Sequence, residues 1–241
     1  MRIIPAIDLI DGKCVRLQKG DYNKKTIYNE NPVEVAKSFE AAGIEYLHLV
    51  DLDGAKAGEI INYSILEDIV SQTSLKVDFG GGVRSREDVA RILESGGRQA
   101  VIGSMAFKKP DIYFEILNEF GGEKIVLGAD ARYGKIALTG WLEETDIDVV
   151  DAIRMYSEKG TIYVLSTDIE KDGMLEGPAT ELYQRIIHQE PRVRLIASGG
   201  VSGIGDLPPL RDMGCEGVII GKAIYEGKIA LEELQSWISY E

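Results

Sequence analysis

The 241-residue sequence predicts an α/β fold, a (β/α)8 TIM barrel built from two homologous half-barrels at about residues 1–120 and 121–241. Three observations predict it. Eight short runs rich in Val, Ile and Leu recur along the chain, segments with helical spacing of apolar residues lie between them, and several strand-end groups of the first half return in order in the second. The runs cover residues 2–7, 45–50, 75–79, 99–102, 124–129, 161–166, 193–197 and 216–220. Each is nearly continuously apolar, the pattern of parallel strands covered on both faces.

The helices are read from their punctuation. Residues 32–42 begin with Asn31 as cap and Pro32 at the first helical position, and stop at Gly43. Residues 85–95 have Ser85 as cap, Asp88 at the third helical position and Gly96 as stop. Residues 110–120 and 206–213 carry similar signals. An open doubly wound sheet would place a Gly-x-Gly-x-x-Gly turn after the first strand, where Asp8-Leu9-Ile10-Asp11-Gly12-Lys13 stands instead. No linker or low-complexity tract divides the chain, so residues 1–241 are taken as one domain.

Composition narrows the function. Acidic residues number 40 against 27 basic ones, a net charge of −13, which argues against nucleic acid or an anionic membrane as partner but allows local Arg and Lys to hold a phosphorylated small molecule. Cys14 and Cys215 are too few for a disulfide framework, the opening residues form no signal peptide, and no run approaches the roughly 20 apolar residues of a membrane span. The chain reads as a cytoplasmic monomer. His48 and His188 form no metal-like cluster, and His48, within an apolar strand, reads as a core imidazole. Cys14 reads as an inert thiol. No metal is expected, and with no Gly-x-Ser-x-Gly elbow and no Gly-x-x-x-x-Gly-Lys-Ser/Thr loop the hydrolase and nucleotide triphosphatase motifs are absent.

The repeated groups all fall at strand ends. Ala6-Ile7-Asp8 with Gly12-Lys13 returns as Gly128-Ala129-Asp130 with Gly134-Lys135, an offset of 122. Asp51 returns as Asp168 at 117, Gly81-Gly82-Val83 as Gly199-Gly200-Val201 at 118, and Gly103-Ser104 as Gly221-Lys222 at 118. In a barrel of this kind the carboxyl ends of the strands carry the chemistry. A lone Gly-Gly pair is normally only a tight turn. Two such clusters, each joined by a second loop, are read instead as phosphate cradles: Gly81, Gly82, Gly103 and Ser104 on one side, Gly199, Gly200, Gly221 and Lys222 on the other. Ser85 and Ser202 are further hydroxyl donors. The implied small-molecule substrate carries a phosphate at each end.

Between the cradles, Asp8 and Asp130 face each other as an acid–base pair. Asp11 and Asp53 are read as turn caps. Asp51, Asp168 and Asp172 are expected to add acidity to the same face, Thr167 offers a hydroxyl, and Arg16, Arg84 and Arg132 are candidates to balance charge or hold phosphate and carboxamide groups. Trp141 either stacks on a planar heterocycle under a closing loop or simply packs.

These residues carry a family resemblance. Pro5-Ala6-Ile7-Asp8-Leu9 with Gly12-Lys13-Cys14-Val15-Arg16-Leu17, His48-Leu49-Val50-Asp51, Gly80-Gly81-Gly82-Val83-Arg84-Ser85, Gly140-Trp141, Thr167-Asp168 with Asp172-Gly173, Ser198-Gly199-Gly200-Val201 and Gly221-Lys222-Ala223 resemble the phosphoribosylformimino-5-aminoimidazole carboxamide ribotide isomerases of histidine biosynthesis across essentially the whole chain. The resemblance implies a cofactor-free Amadori rearrangement of a bisphosphorylated aminoaldose, an intramolecular oxidoreduction. By that analogy Asp8 accepts the proton at the second carbon of the sugar, Asp130 donates the proton that opens the ring, Thr167 polarises or positions, and Asp172 is a rival for the acid role. Asp78, Ser166 and Tyr133 depart from the pattern, which has Gln, Tyr and Asp there. Three alternatives stand beside this reading: the cyclase subunit of imidazole glycerol phosphate synthase, a dual-substrate isomerase that also takes phosphoribosylanthranilate, and a non-catalytic phosphosugar-binding barrel.

Overall fold

Each of the eight apolar runs is a strand in the computed structural model, which describes residues 1–18 and 21–240. They are β1 (Arg2–Ile10), β2 (Tyr46–Asp51), β3 (Lys76–Gly80), β4 (Gln99–Ile102), β5 (Ile125–Gly128), β6 (Tyr163–Thr167), β7 (Arg194–Ser198) and β8 (Gly217–Ile220). All pair in parallel with their sequence neighbours, and β8 returns to β1 through the register Arg2↔Gly217 to Pro5↔Ile220, which closes the barrel. Only β1 departs by more than two residues from its expected bounds, running three residues further.

The helical punctuation works as read. Asn31 Oδ1 accepts from the backbone of Val33 at 3.1 Å and Glu34 at 3.3 Å, opening the helix Pro32–Ala41. Ser85 and Asp88 form a reciprocal capping box at the start of Arg86–Glu94. The helix expected at 206–213 is Leu207–Asp212, preceded by a 3-10 turn at Ile204–Asp206.

Side chains alternate between the two faces of a strand, and this sorts the barrel into two cores. Ile4 and Ala6, Val101, Val126, Tyr163 and Leu165, Ile196 and Ile219 pack together as one cluster, the filling of the barrel. The intervening residues, such as Ile3, Ile7, Leu47, Leu49, Val77 and Phe79, belong to a larger cluster with the surrounding helices. At the lower end, Arg2 lies 4.8 Å from the ring centre of Tyr46 and 4.9 Å from that of Tyr163, and it also donates to the Tyr163 hydroxyl at 2.8 Å. The barrel is therefore plugged below and open above.

Two strand groups at the upper end lie outside the expected eight. After β1 an antiparallel hairpin, Lys13–Gln18 and Asp21–Asn29, extends the sheet. After β5 a separate three-stranded sheet forms from Ala131–Arg132, Lys135–Leu138 and Glu143–Asp148. Both are rich in charged residues, and a search for apolar runs passes over them.

Replacing Ile196 by Ala leaves a hole in the barrel filling that its fully packed neighbours cannot close. The expected loss is about 2–5 kcal/mol, read from the urea midpoint at unchanged slope; a loss below about 0.5 kcal/mol would contradict the assigned interior packing.

Candidate active site

A cavity of about 430 Å³ occupies the open end and is lined by residues from all eight strands or the loops that follow them. Its wall continues the inward parity of the barrel filling. Asp8 is the next inward position above Ile4 and Ala6, Asp130 stands two residues beyond Gly128, and Thr167 two beyond Leu165.

The hairpin after β1 bends back so that Arg16 lies between two carboxylates, donating from Nη1 to Asp8 Oδ2 at 3.1 Å and from Nη2 to Asp172 Oδ1 at 2.5 Å. Burial pushes the Asp8 carboxyl above its ordinary range, and the Arg16 and His48 charges oppose that rise. Across the mouth, Asp130 Oδ2 accepts from the Trp141 indole N–H at 2.8 Å, while its buried Oδ1 has no hydrogen-bond partner of good geometry. Burial also raises the Asp130 carboxyl, with the Trp141 and Thr167 donors as the smaller, opposing influence. Trp141 reaches this position through the left-handed sequence Thr139-Gly140-Trp141. Two non-glycine residues in that region cost roughly 1–2 kcal/mol each, so the coil is held by its bonds, among them Thr139 N–H to Ser104 Oγ at 2.8 Å and Lys108 Nζ to Thr139 Oγ1 at 2.8 Å.

The glycine clusters stand on the same rim with matching backbones. Gly81 and Gly199 have φ of 93° and 94°, Gly82 and Gly200 have 80° and 85°, and Gly103 and Gly221 both start short helices without a side-chain cap. At Gly81 a Cβ would come within 2.1 Å of the Asp51 carbonyl oxygen, and at Gly200 within 2.3 Å of that of Gly177. Only glycine lets these loops lie so close. Lys222 joins the second cluster and donates to the Gly173 carbonyl at 2.9 Å; Arg84 joins the first, its guanidinium packed against Gly58.

The family described as "Histidine biosynthesis protein" matches residues 2–230. The chain belongs to the histidine biosynthesis protein family. It is 60% identical over 238 residues to a protein of Flavobacterium johnsoniae, covering 99% of both chains, and 57% identical over 238 residues to one of Flavobacterium psychrophilum, again 99% of both. A Parabacteroides distasonis protein is 53% identical over 234 residues, 97% of this chain and 98% of its own. All three are named 1-(5-phosphoribosyl)-5-((5-phosphoribosylamino)methylideneamino) imidazole-4-carboxamide isomerase.

Within this family member the expected site residues Asp8, Asp130, Thr167, Asp172, Gly81, Gly82, Arg84, Gly103, Ser104, Gly199, Gly200, Gly221, Lys222, Arg16 and Trp141 all line the one cavity. Other expectations fail. Asp51, fully buried, faces outward and accepts from the backbone of Gly54, Ile61 and Asn62 and from Asn62 Nδ2, so it ties a loop rather than adding acidity to the mouth. Asp168 caps a turn through Glu170 N–H at 3.0 Å, and Arg132 bonds Glu144 and Glu170; neither lines the cavity. Ser85 Oγ accepts from Asp88 N–H in its capping box and Ser202 Oγ donates to Asp206, and neither serine lines the cavity. His48 is no core imidazole: it lines the cavity, hydrogen-bonded through Nδ1 to Asp78 Oδ1. Trp141 is tied to Asp130 rather than merely packed. The Cys14 thiol is buried and pushed up to about 12 by that burial and by Asp8, as an inert thiol should be. No group of three or more His, Cys, Asp or Glu that could hold a metal occurs among the described residues, nor is any helix there long and apolar enough to cross a membrane.

Because the folded Asp130 holds its proton to higher pH than the unfolded chain does, its contribution to stability is present in acid. It is lost as pH rises from the ordinary carboxylate range through the raised folded value. Asp130→Asn keeps an acceptor for Trp141 and removes that charge, so it is expected to raise the melting temperature at pH 7 and to lose the advantage near pH 4. Equal melting temperatures at pH 7 would show that the carboxylate is not penalised by its surroundings.

Proposed function

We propose that this chain is an aldose–ketose isomerase that carries out the Amadori rearrangement of phosphoribosylformimino-5-aminoimidazole carboxamide ribotide, the activity named for its relatives. The observation that carries the reading is the placement of two like glycine cradles on one rim with Asp8 and Asp130 in the wall between them. A substrate with a phosphate at each end fills that arrangement, and its sugar then lies over the carboxylates. The single barrel, in two similar halves at about residues 1–120 and 121–241, supplies one cradle and one carboxylate from each half.

The chemistry follows from the environments. Asp130, raised by burial and with a free Oδ1, suits the acid: it protonates the ring oxygen, the bond from that oxygen to the first carbon breaks, and the nitrogen lone pair forms the C=N bond. Asp8, with Arg16 and His48 favouring its ionised form, suits the base that takes the proton from the second carbon. The electrons of that C–H bond become the enaminol double bond, which tautomerises to the ketone; no net electrons enter or leave, so no redox cofactor is required. Thr167 steadies Asp130. Asp172, bound to Arg16 at 2.5 Å, orients the guanidinium that holds Asp8 and ranks behind Asp130 as the acid. Arg84, Lys222 and Ser104 complete the cradles.

The purified chain is expected to convert the bisphosphorylated aminoaldose without added ammonia or partner, followed by the change in ultraviolet absorption. Asp8→Asn should reduce kcat by about a thousandfold or more while ligand affinity stays within severalfold, since only a transition-state role is removed. An inactive wild-type chain, or an Asn variant as active as wild type, would overturn the proposal. Turnover of phosphoribosylanthranilate at comparable kcat/KM would instead make it a dual-substrate isomerase.

A further inference from the structure

His48 and Asp78 are inward-facing neighbours in direct register on β2 and β3, and the acid–base assignment leaves both unused. The ring lines the cavity, whereas Asp78 is buried behind it and does not. Asp78 Oδ1 takes His48 Nδ1, so Nε2 is the nitrogen left for the cavity. The charges acting on the ring are Asp78 from β3, Asp8 from β1 and Asp130 beyond β5, and Arg16, Arg84, Lys108, Lys109, Asp172 and Lys222 line the same cavity. Asp78, bonded to the ring, and Asp8 thus place negative charge beside the imidazole in a largely buried space, where a cationic ring compensates it. Burial pulls the imidazole toward its neutral form, but the Asp78 charge and hydrogen bond, with Asp8 and Asp130 behind them, outweigh it and favour the cation.

We infer that Asp78 is a positioning residue for the isomerisation: it grips His48 by Nδ1, keeps the ring cationic and leaves Nε2–H as a donor to an oxygen of the sugar held beside Asp8. The inference rests on the proposed isomerase reading. The ring then does two things. It gives a charge-assisted hydrogen bond that fixes the oxygen on the second carbon beside Asp8 while the C–H electrons move toward the C=N nitrogen, and its charge favours the ionised form of Asp8 for that transfer. Asp78 acts only through His48.

The test compares wild type, Asp78→Asn and Asp78→Glu, and it has a readout independent of turnover. The sequence holds only two histidines, and His188 is exposed on the helix Thr180–Gln189, so proton NMR of the imidazole C–H signals offers an internal reference. In wild type the His48 signal is expected to titrate above the ordinary imidazole range; in Asp78→Asn its titration should move to lower pH, below that range, and Glu should restore it. In parallel, Asp78→Asn should lower kcat about tenfold at pH 7 with KM within about twofold, and the alkaline limb of the kcat profile should move to lower pH, so activity recovers on acidification. An unchanged His48 titration, or an activity loss equal at every pH, would overturn the inference. Should Asp78→Asn fail to fold, the wild-type spectrum decides alone, because a His48 signal that titrates below the ordinary imidazole range is incompatible with it. A wild-type chain that titrates as expected but turns over no substrate would instead refute the isomerase reading.

Discussion

In a closed barrel of parallel strands, successive residues face opposite ways, and the space inside admits only one of the two sets. Here that parity organises everything above and below the core. The inward set runs from the Arg2, Tyr46 and Tyr163 plug, through the layer of Ile4, Ala6, Val126, Leu165, Ile196 and Ile219, to Asp8, His48, Asp130 and Thr167 at the mouth. The same strand thus packs the interior with its middle and presents chemistry with its end. A shift of one residue in any of these strands would send its functional group to the helix side, where Asp51 and Asp168 already are.

The site concentrates negative charge that a packed interior resists. Asp8 and Asp130 are both raised by burial, yet the two are held differently. Asp8 has a guanidinium at 3.1 Å and the His48 ring nearby, while Asp130 has the neutral indole of Trp141 and Thr167 as donors. Under the proposed function these different neighbours suit one carboxylate to act as base and the other as acid. Those neighbours come from the structures inserted after β1 and β5: the hairpin delivers Arg16, and the loop of the three-stranded sheet delivers Trp141.

Much of this was legible along the chain. Caps such as Asn31 and the Ser85–Asp88 pair are local devices, complete within four residues, and they mark helices whatever the rest of the fold does. The eight apolar runs mark the strands because a parallel strand covered on both sides cannot tolerate many polar groups. The recurrence of Asp8 as Asp130 and of Gly81 as Gly199 points to one rim, since equivalent residues of repeated units occupy equivalent places. The hairpin and the small sheet escape a search for apolar runs because most of their strands interleave charged residues, and only Ile136-Ala137-Leu138 is apolar throughout.

By itself the sequence determined the barrel, the number of its strands, and the glycine clusters and carboxylates at its strand ends, because each depends on residues near one another in the chain or on a pattern along it. Tertiary structure alone decided which polar residues meet. Arg16 joins Asp172 across 156 positions, His48 meets Asp78 across 30, and Trp141 turns back onto Asp130. Such contacts depend on strand register and on which face each residue occupies. An apolar run reveals that a strand exists but conceals its parity, and parity is what sends His48 into the cavity and Asp51 away from it.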